Sequence, residues 1–171
     1  MIFTCTVLQR VMWRVTVAAL LFICPFVSAA QTSLVSARDL AADAKTVERT
    51  GLPLIVMVSL AGCPHCEVVR RSHLLPLLRA GSVTPTALIR QVEINGQDIL
   101  RDFSGRATTH AEFASRYKIT LAPVVMFFDG KGEMISEPLV GSMIPDFYGA
   151  YFDAALTAAK SRLTRVRPTG L

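Results

Sequence analysis

Cys63 and Cys66 stand two residues apart in the run Cys63-Pro64-His65-Cys66, and their type and spacing permit redox chemistry. Two intervening residues let the sulfurs meet across one helical turn, so the pair can cycle between dithiol and disulfide. The run follows a stretch that reads as a buried strand and opens one that reads as a helix. Cys63 is thereby expected at a helix N-terminus, where unpaired N–H groups and the positive dipole end stabilise a thiolate. Cys63 is the expected nucleophile, and Cys66, one turn further in and shielded, the resolving thiol. Pro64 suits the first helical turn, where its missing N–H costs nothing. His65, protonated or as an N–H donor, would stabilise the sulfur anion and so modulate the nucleophile, favouring the reduced form and thus disulfide donation.

Other uses of the pair are weaker. A structural disulfide closing so short a loop would stabilise little. A metal site needs about four ligands, and the remaining histidines are only His65, His73 and His110. No metal or other cofactor is expected. A secreted copper-handling module using Cys63, Cys66 and His65 is one alternative function, and a non-catalytic chaperone is another. His73 reads as an ordinary surface or partly buried histidine, and His110 is given no role.

The elements that must position the cysteines follow from periodicity. Ser36 and Asp39 read as a helix start, with Ala37, Leu40, Ala41, Ala44 and Val47 at helical spacing as far as Gly51. Pro53 to Val58 is apolar without alternation, as in a strand buried on both faces. The helix opened by the cysteine run extends to Ala80, stops at Gly81 and should kink at Pro76. Leu88–Ile94 reads as a strand and Asn95–Arg106 as a polar surface loop. Thr109 and Glu112 form a capping box for a short helix through Tyr117. Val124–Phe128 is a second buried strand, Asp129–Gly132 a hairpin turn, and Glu133–Val140 a returning strand. Pro145 opens the last helix.

The first thirty residues differ from the rest. Arg10 and Arg14 precede the apolar run Val15–Val27, and Ser28-Ala29-Ala30 supplies small residues before Gln31. This is the pattern of a secretory signal peptide over 1–30, and the run is short for a membrane span. Cleavage after Ala30 would leave 141 residues with Cys63 and Cys66 as the only cysteines. The full chain of 171 residues carries 18 Lys+Arg against 13 Asp+Glu. Loss of the two arginines would reduce the net charge to +3, too little to argue for a nucleic-acid partner. With 51% hydrophobic residues the chain can bury a core. The length allows one domain over 31–171, and nothing marks an oligomer, so a monomer is expected.

The cysteine run, followed by Tyr117-Lys118-Ile119-Thr120-Leu121-Ala122-Pro123 and Val124 to Gly132, resembles the thioredoxin superfamily. In particular it is similar to small secreted proteins of the SoxW type. The resemblance covers about Asp39 to Leu156. It implies a thioredoxin-like α/β fold, a central mixed sheet flanked by helices on both faces. It also implies that Pro123 is a cis proline facing the cysteines and contacting the substrate chain, with Ala122 offering backbone groups to it. Gly141 would match the family's glycine near the site. The Pro-His dipeptide resembles that of DsbA, but Gly81 to Leu121 is too short for the helical domain DsbA inserts. Gly62 replaces the usual Trp before the first cysteine, and Met57 stands near the level of the usual buried carboxylate. The implied function is thiol–disulfide exchange on exported proteins, with reduction favoured over oxidation. Its partners would be those proteins and a membrane electron donor or acceptor. The location would be periplasmic or secreted.

Overall fold

The computed structural model describes residues 33–82, 84–141 and 145–166. The expected signal segment lies outside them. Helix α1 (Leu40–Thr50) starts where Asp39 accepts a bond from the Ala42 N–H at 2.8 Å, and ends at Gly51, left-handed at φ 73°. Asp39, not Ser36, is therefore the cap. Ser36 instead lies on a short segment that pairs with Gln91. Strand β1 (Leu54–Ser59) follows, with all six residues buried.

A continuous helical stretch comes next: α2 (Pro64–Val69), one wide π-type turn (Arg70–Leu74), and α3 (Leu75–Ala80). The expected kink takes the form of that wide turn, placed directly before Pro76. Proline cannot donate to the helical ladder and crowds the carbonyl four residues back, and the wider turn absorbs this.

Strand β2 (Leu88–Glu93) runs parallel to β1, β5 (Val124–Phe128) pairs antiparallel to β1, and β6 (Leu139–Val140) pairs antiparallel to β5, giving the mixed order β2-β1-β5-β6. The apolar run of β1 serves two cores. Ile55 and Met57 pack with Cys66, Val69, Leu74, Phe127, Tyr148 and Phe152 on one face. Leu54, Val56 and Val58 pack with Leu40, Val47, Phe113, Met126 and Phe128 on the other. The helical stretch after Cys63 and the last helix, α5 (Pro145–Val166), thus cover the first face. Helices α1 and α4 (His110–Arg116) cover the second. Arg90 on β2 grips Asp43 on α1 through both carboxylate oxygens, at 2.9 and 2.6 Å.

Two expectations are corrected. The segment 95–106 is not simply a loop, because β3 (Ile99–Arg101) and β4 (Ala107–Thr109) pair as a small hairpin. Asp102 and Gly105 (φ 81°) turn it, and Leu100 and Thr108 are its buried residues. The return after Asp129 is also shorter than a full strand. Met134 and Ile135 bridge to β5, and pairing resumes only at Leu139. Pro138 interrupts, having no N–H for the ladder. The capping box at Thr109 and Glu112 is present as expected.

At the turn after β5, Gly130 lies against α1. A Cβ there would meet the Glu48 backbone nitrogen at 3.0 Å and the Ala44 carbonyl oxygen at 3.1 Å. Gly130→Ala is expected to cost about 1–3 kcal/mol, as overpacking against backbone does. Urea denaturation would read the loss. Alkylation of Cys63 should be unchanged, since this turn and Pro123 adjoin opposite ends of β5.

Candidate redox-active site

Strand β1 delivers the chain to a turn in which Gly62 takes φ 72° and the Cys63 N–H donates to the Leu60 carbonyl at 3.2 Å. A left-handed residue is needed there, and glycine takes it without a steric cost. Cys63 is extended (φ −81°, ψ 110°) and is itself the N-cap of α2, its sulfur accepting the Cys66 backbone N–H at 3.1 Å. A helix-start N–H thus points at the sulfur expected to carry negative charge. Cys63 and Cys66 are disulfide-bonded, with Cα atoms 5.3 Å apart. Cys66 is 1% exposed whereas Cys63 is half-buried. Pro64 and His65, between them, are exposed at the rim.

The segment preceding β5 faces this pair. The Ala122 carbonyl oxygen lies 4.0 Å from the Cys63 sulfur, within reach of a thiol donor in the reduced protein. The Ala122–Pro123 peptide is cis, and Pro123 is buried. Gly141, at φ 73°, donates its N–H to the Pro123 carbonyl at 2.8 Å, so it lies beside the proline. The structure therefore brings together Cys63, Cys66, Ala122 and Pro123.

Met57 is fully buried on the Cys66 face, opposite Gln91 in β2. Beside it runs a polar network that the sequence did not single out. Arg70 donates to the Ser59 hydroxyl at 3.1 Å and to the side-chain amide oxygen of Gln91 at 3.1 and 3.0 Å, and it also pairs with Glu67. Gln91 donates to Glu93 at 2.5 Å. His110, given no role above, is a structural link. Its Nδ1 accepts the Glu93 backbone N–H at 3.1 Å, so Nε2 carries the proton and donates to the Ala37 carbonyl at 2.9 Å.

His73 is packed against Tyr148 and Phe152 of α5, with ring centroids 5.0 and 5.6 Å away. Burial lowers its pKa, against an opposing pull from Asp153. Neither His73 nor His110 joins the cysteines in a ligand set: among the described residues no three His, Cys, Asp or Glu side chains are gathered to hold a metal.

A mixed four-stranded sheet with helices on both faces, and a cysteine pair opening the helix after its central strand, define the thioredoxin-like class. Residues 40–156 match the sequence model of the Thioredoxin-like domain, and the chain belongs to that family. No curated protein matches it in sequence. Thioredoxin 3 of Saccharomyces cerevisiae mitochondria, in its oxidised form, is similar at 15% identity and a TM-score of 0.47, over 71% of this chain and 96% of that one. Fasciola hepatica thioredoxin is similar at 15% identity and a TM-score of 0.46, over 72% and 97%. The DsbH oxidoreductase is similar at 15% identity and a TM-score of 0.49, over 73% and 86%. The family assignment rests on the sequence match and not on these likenesses. The disulfide-bonded pair in this fold is consistent with a thiol–disulfide oxidoreductase.

Proposed function

We propose that the protein is a thiol–disulfide oxidoreductase of exported proteins, of the SoxW-like kind, working in the reducing direction. The observation that carries the exchange chemistry is the Cys66 N–H donated to the Cys63 sulfur at a helix start; the reducing direction rests instead on the SoxW-like sequence pattern, because a stabilised thiolate taken alone favours an oxidant. The same donor would stabilise a Cys63 thiolate once the disulfide is reduced. The Cys63 thiolate attacks one sulfur of a client disulfide. A Cys63–client mixed disulfide forms and the client's other sulfur leaves as thiolate. The Cys66 sulfur, having lost its proton, attacks Cys63 and expels the second client thiolate. The client gains two electrons and the pair is left oxidised, to be recharged by a membrane electron donor.

Burial of Cys66 supports its role as the resolving thiol, since a client cannot easily reach it. Pro64 and His65 occupy the rim and modulate the nucleophile, and the backbone at Ala122 and Pro123 holds the client chain. Export is supported by the N-terminal pattern of Arg10, Arg14 and the apolar run to Val27.

Equilibration with glutathione tests the direction. A potential near about −270 mV is expected for a reductant, and one near about −120 mV would reverse the assignment to an oxidant.

A further inference from the structure

The helix that carries the nucleophile also carries an acid close to it. Glu67 is the sole acidic residue between Pro64 and Ala80 and lies in the first turn. Its backbone N–H donates to the Cys63 carbonyl at 3.2 Å, so it stands one turn above the nucleophile. Residues four apart on a helix are neighbours, about 5–6 Å between Cβ atoms. Helical side chains lean toward the N-terminus, so an unrestrained Glu67 carboxylate would lean toward Cys63. A like charge there disfavours a thiolate.

The structure shows the carboxylate restrained. One oxygen is held by Arg70 and the other by Arg71 Nε at 3.1 Å, and both arginines lie on its C-terminal side. They are not equivalent. The Arg71 side chain is 76% exposed, and pairs of that kind contribute little. The Arg70 side chain is 12% exposed and is anchored from two strands, by Ser59 at the end of β1 and by Gln91 on β2. Glu93 joins only through Gln91.

We propose that Arg70 is a positioning residue for the exchange reaction: it draws the Glu67 carboxylate away from Cys63 and cancels its charge. This rests on the reading of Cys63 as nucleophile. Removing the arginine would release an anion beside the sulfur, destabilise the thiolate and make the disulfide harder to reduce.

The test uses the reduced protein and follows thiolate absorbance against pH, with equilibration against glutathione alongside. Arg70→Gln is expected to raise the Cys63 midpoint by about half to one pH unit, roughly three- to tenfold less thiolate below the midpoint. It should shift the glutathione equilibrium by a similar factor toward the disulfide, about 15–30 mV more reducing. Glu67→Gln in the same chain should bring both values back to within about twofold of the parent. A role confined to packing would not be relieved by Glu67→Gln. An unmoved midpoint in Arg70→Gln, or a shift of equal size in the double variant, overturns the proposal. Arg70→Lys keeps the charge but cannot reach Ser59, Gln91 and Glu67 together. Its shift should be smaller, of the same sign and again relieved by Glu67→Gln, so it carries the cycle if Arg70→Gln does not fold. A parent midpoint near about 8.5, that of an ordinary thiol, would remove the nucleophile reading itself. A lowered parent midpoint indifferent to Arg70 would remove only the clamp.

Discussion

Cys63→Ser is expected to bring disulfide exchange with insulin or a model peptide down to the uncatalysed rate. Cys66→Ser should instead retain attack and lose release. The difference follows from the surroundings of the two sulfurs. Cys63 is half-buried and accepts a helix-start N–H, while Cys66 is 1% exposed and packs among Met57, Val69 and Phe127. An ordinary thiol is only a few per cent ionised at neutral pH. A midpoint a full pH unit below neutrality would therefore raise the reactive fraction about thirtyfold. The serine hydroxyl does not ionise in this range and forms no disulfide, so nothing replaces the lost nucleophile.

In Cys66→Ser the first attack still proceeds and the mixed disulfide accumulates. Mass spectrometry after acid quenching should show the client joined to Cys63 in a one-to-one adduct, and faster alkylation of Cys63 than of Cys66 should be seen in the reduced parent. Exchange that persists in Cys63→Ser, or alkylation of the reduced parent mainly at Cys66, would reverse the two roles.

The parts of the fold visible in the sequence are those where one residue type has one structural use. Leu54 to Val58 could be read as buried on both faces because no polar residue interrupts it, and its alternate residues do divide between two cores. Gly51, the Thr109–Glu112 box and the cysteine run likewise mark element ends by local chemistry alone. The hairpin of β3 and β4 was hidden because its strands are three residues each, and their burial runs against residue type, with Ile99 exposed and Thr108 buried. Length and periodicity cannot separate such a strand from a loop.

The Arg70 network was hidden for a different reason. Arg70, Ser59 and Gln91 are far apart in sequence, and an arginine near a helix middle ordinarily reads as solvated. Only the parallel register that places Ser59 beside Glu93 and Met57 beside Gln91 turns that arginine inward. Pairing across strands is a tertiary fact, which spacing along one element does not contain.

The Asp102 hub should show the largest stability effect of a single polar substitution, and one with a defined pH dependence. Asp102 is 4% exposed. Burial by itself would raise its pKa. The Arg116 guanidinium, the Ser104 hydroxyl and the backbone N–H groups of Arg106 and Ser104 outweigh burial, holding the carboxyl well below the usual carboxylate range. Asp102→Asn keeps the shape and removes the charge, leaving donors of the turn and of α4 poorly matched. The Arg116 side chain is 41% exposed, so the cost should fall somewhat below that of a fully buried pair, about 2–3 kcal/mol at neutral pH. The sign with pH follows from the depressed folded-state value. Stability from the ionised group is fully present above the unfolded carboxyl value of about 3.9 and is lost as pH falls below it toward the folded value. The gap between parent and variant, read from urea midpoints, should therefore be constant from about pH 7 to pH 5 and narrow by about pH 3. A gap equally wide at both ends would mean that the substitution acts through shape and packing, with the charge of Asp102 contributing nothing to the hairpin it turns.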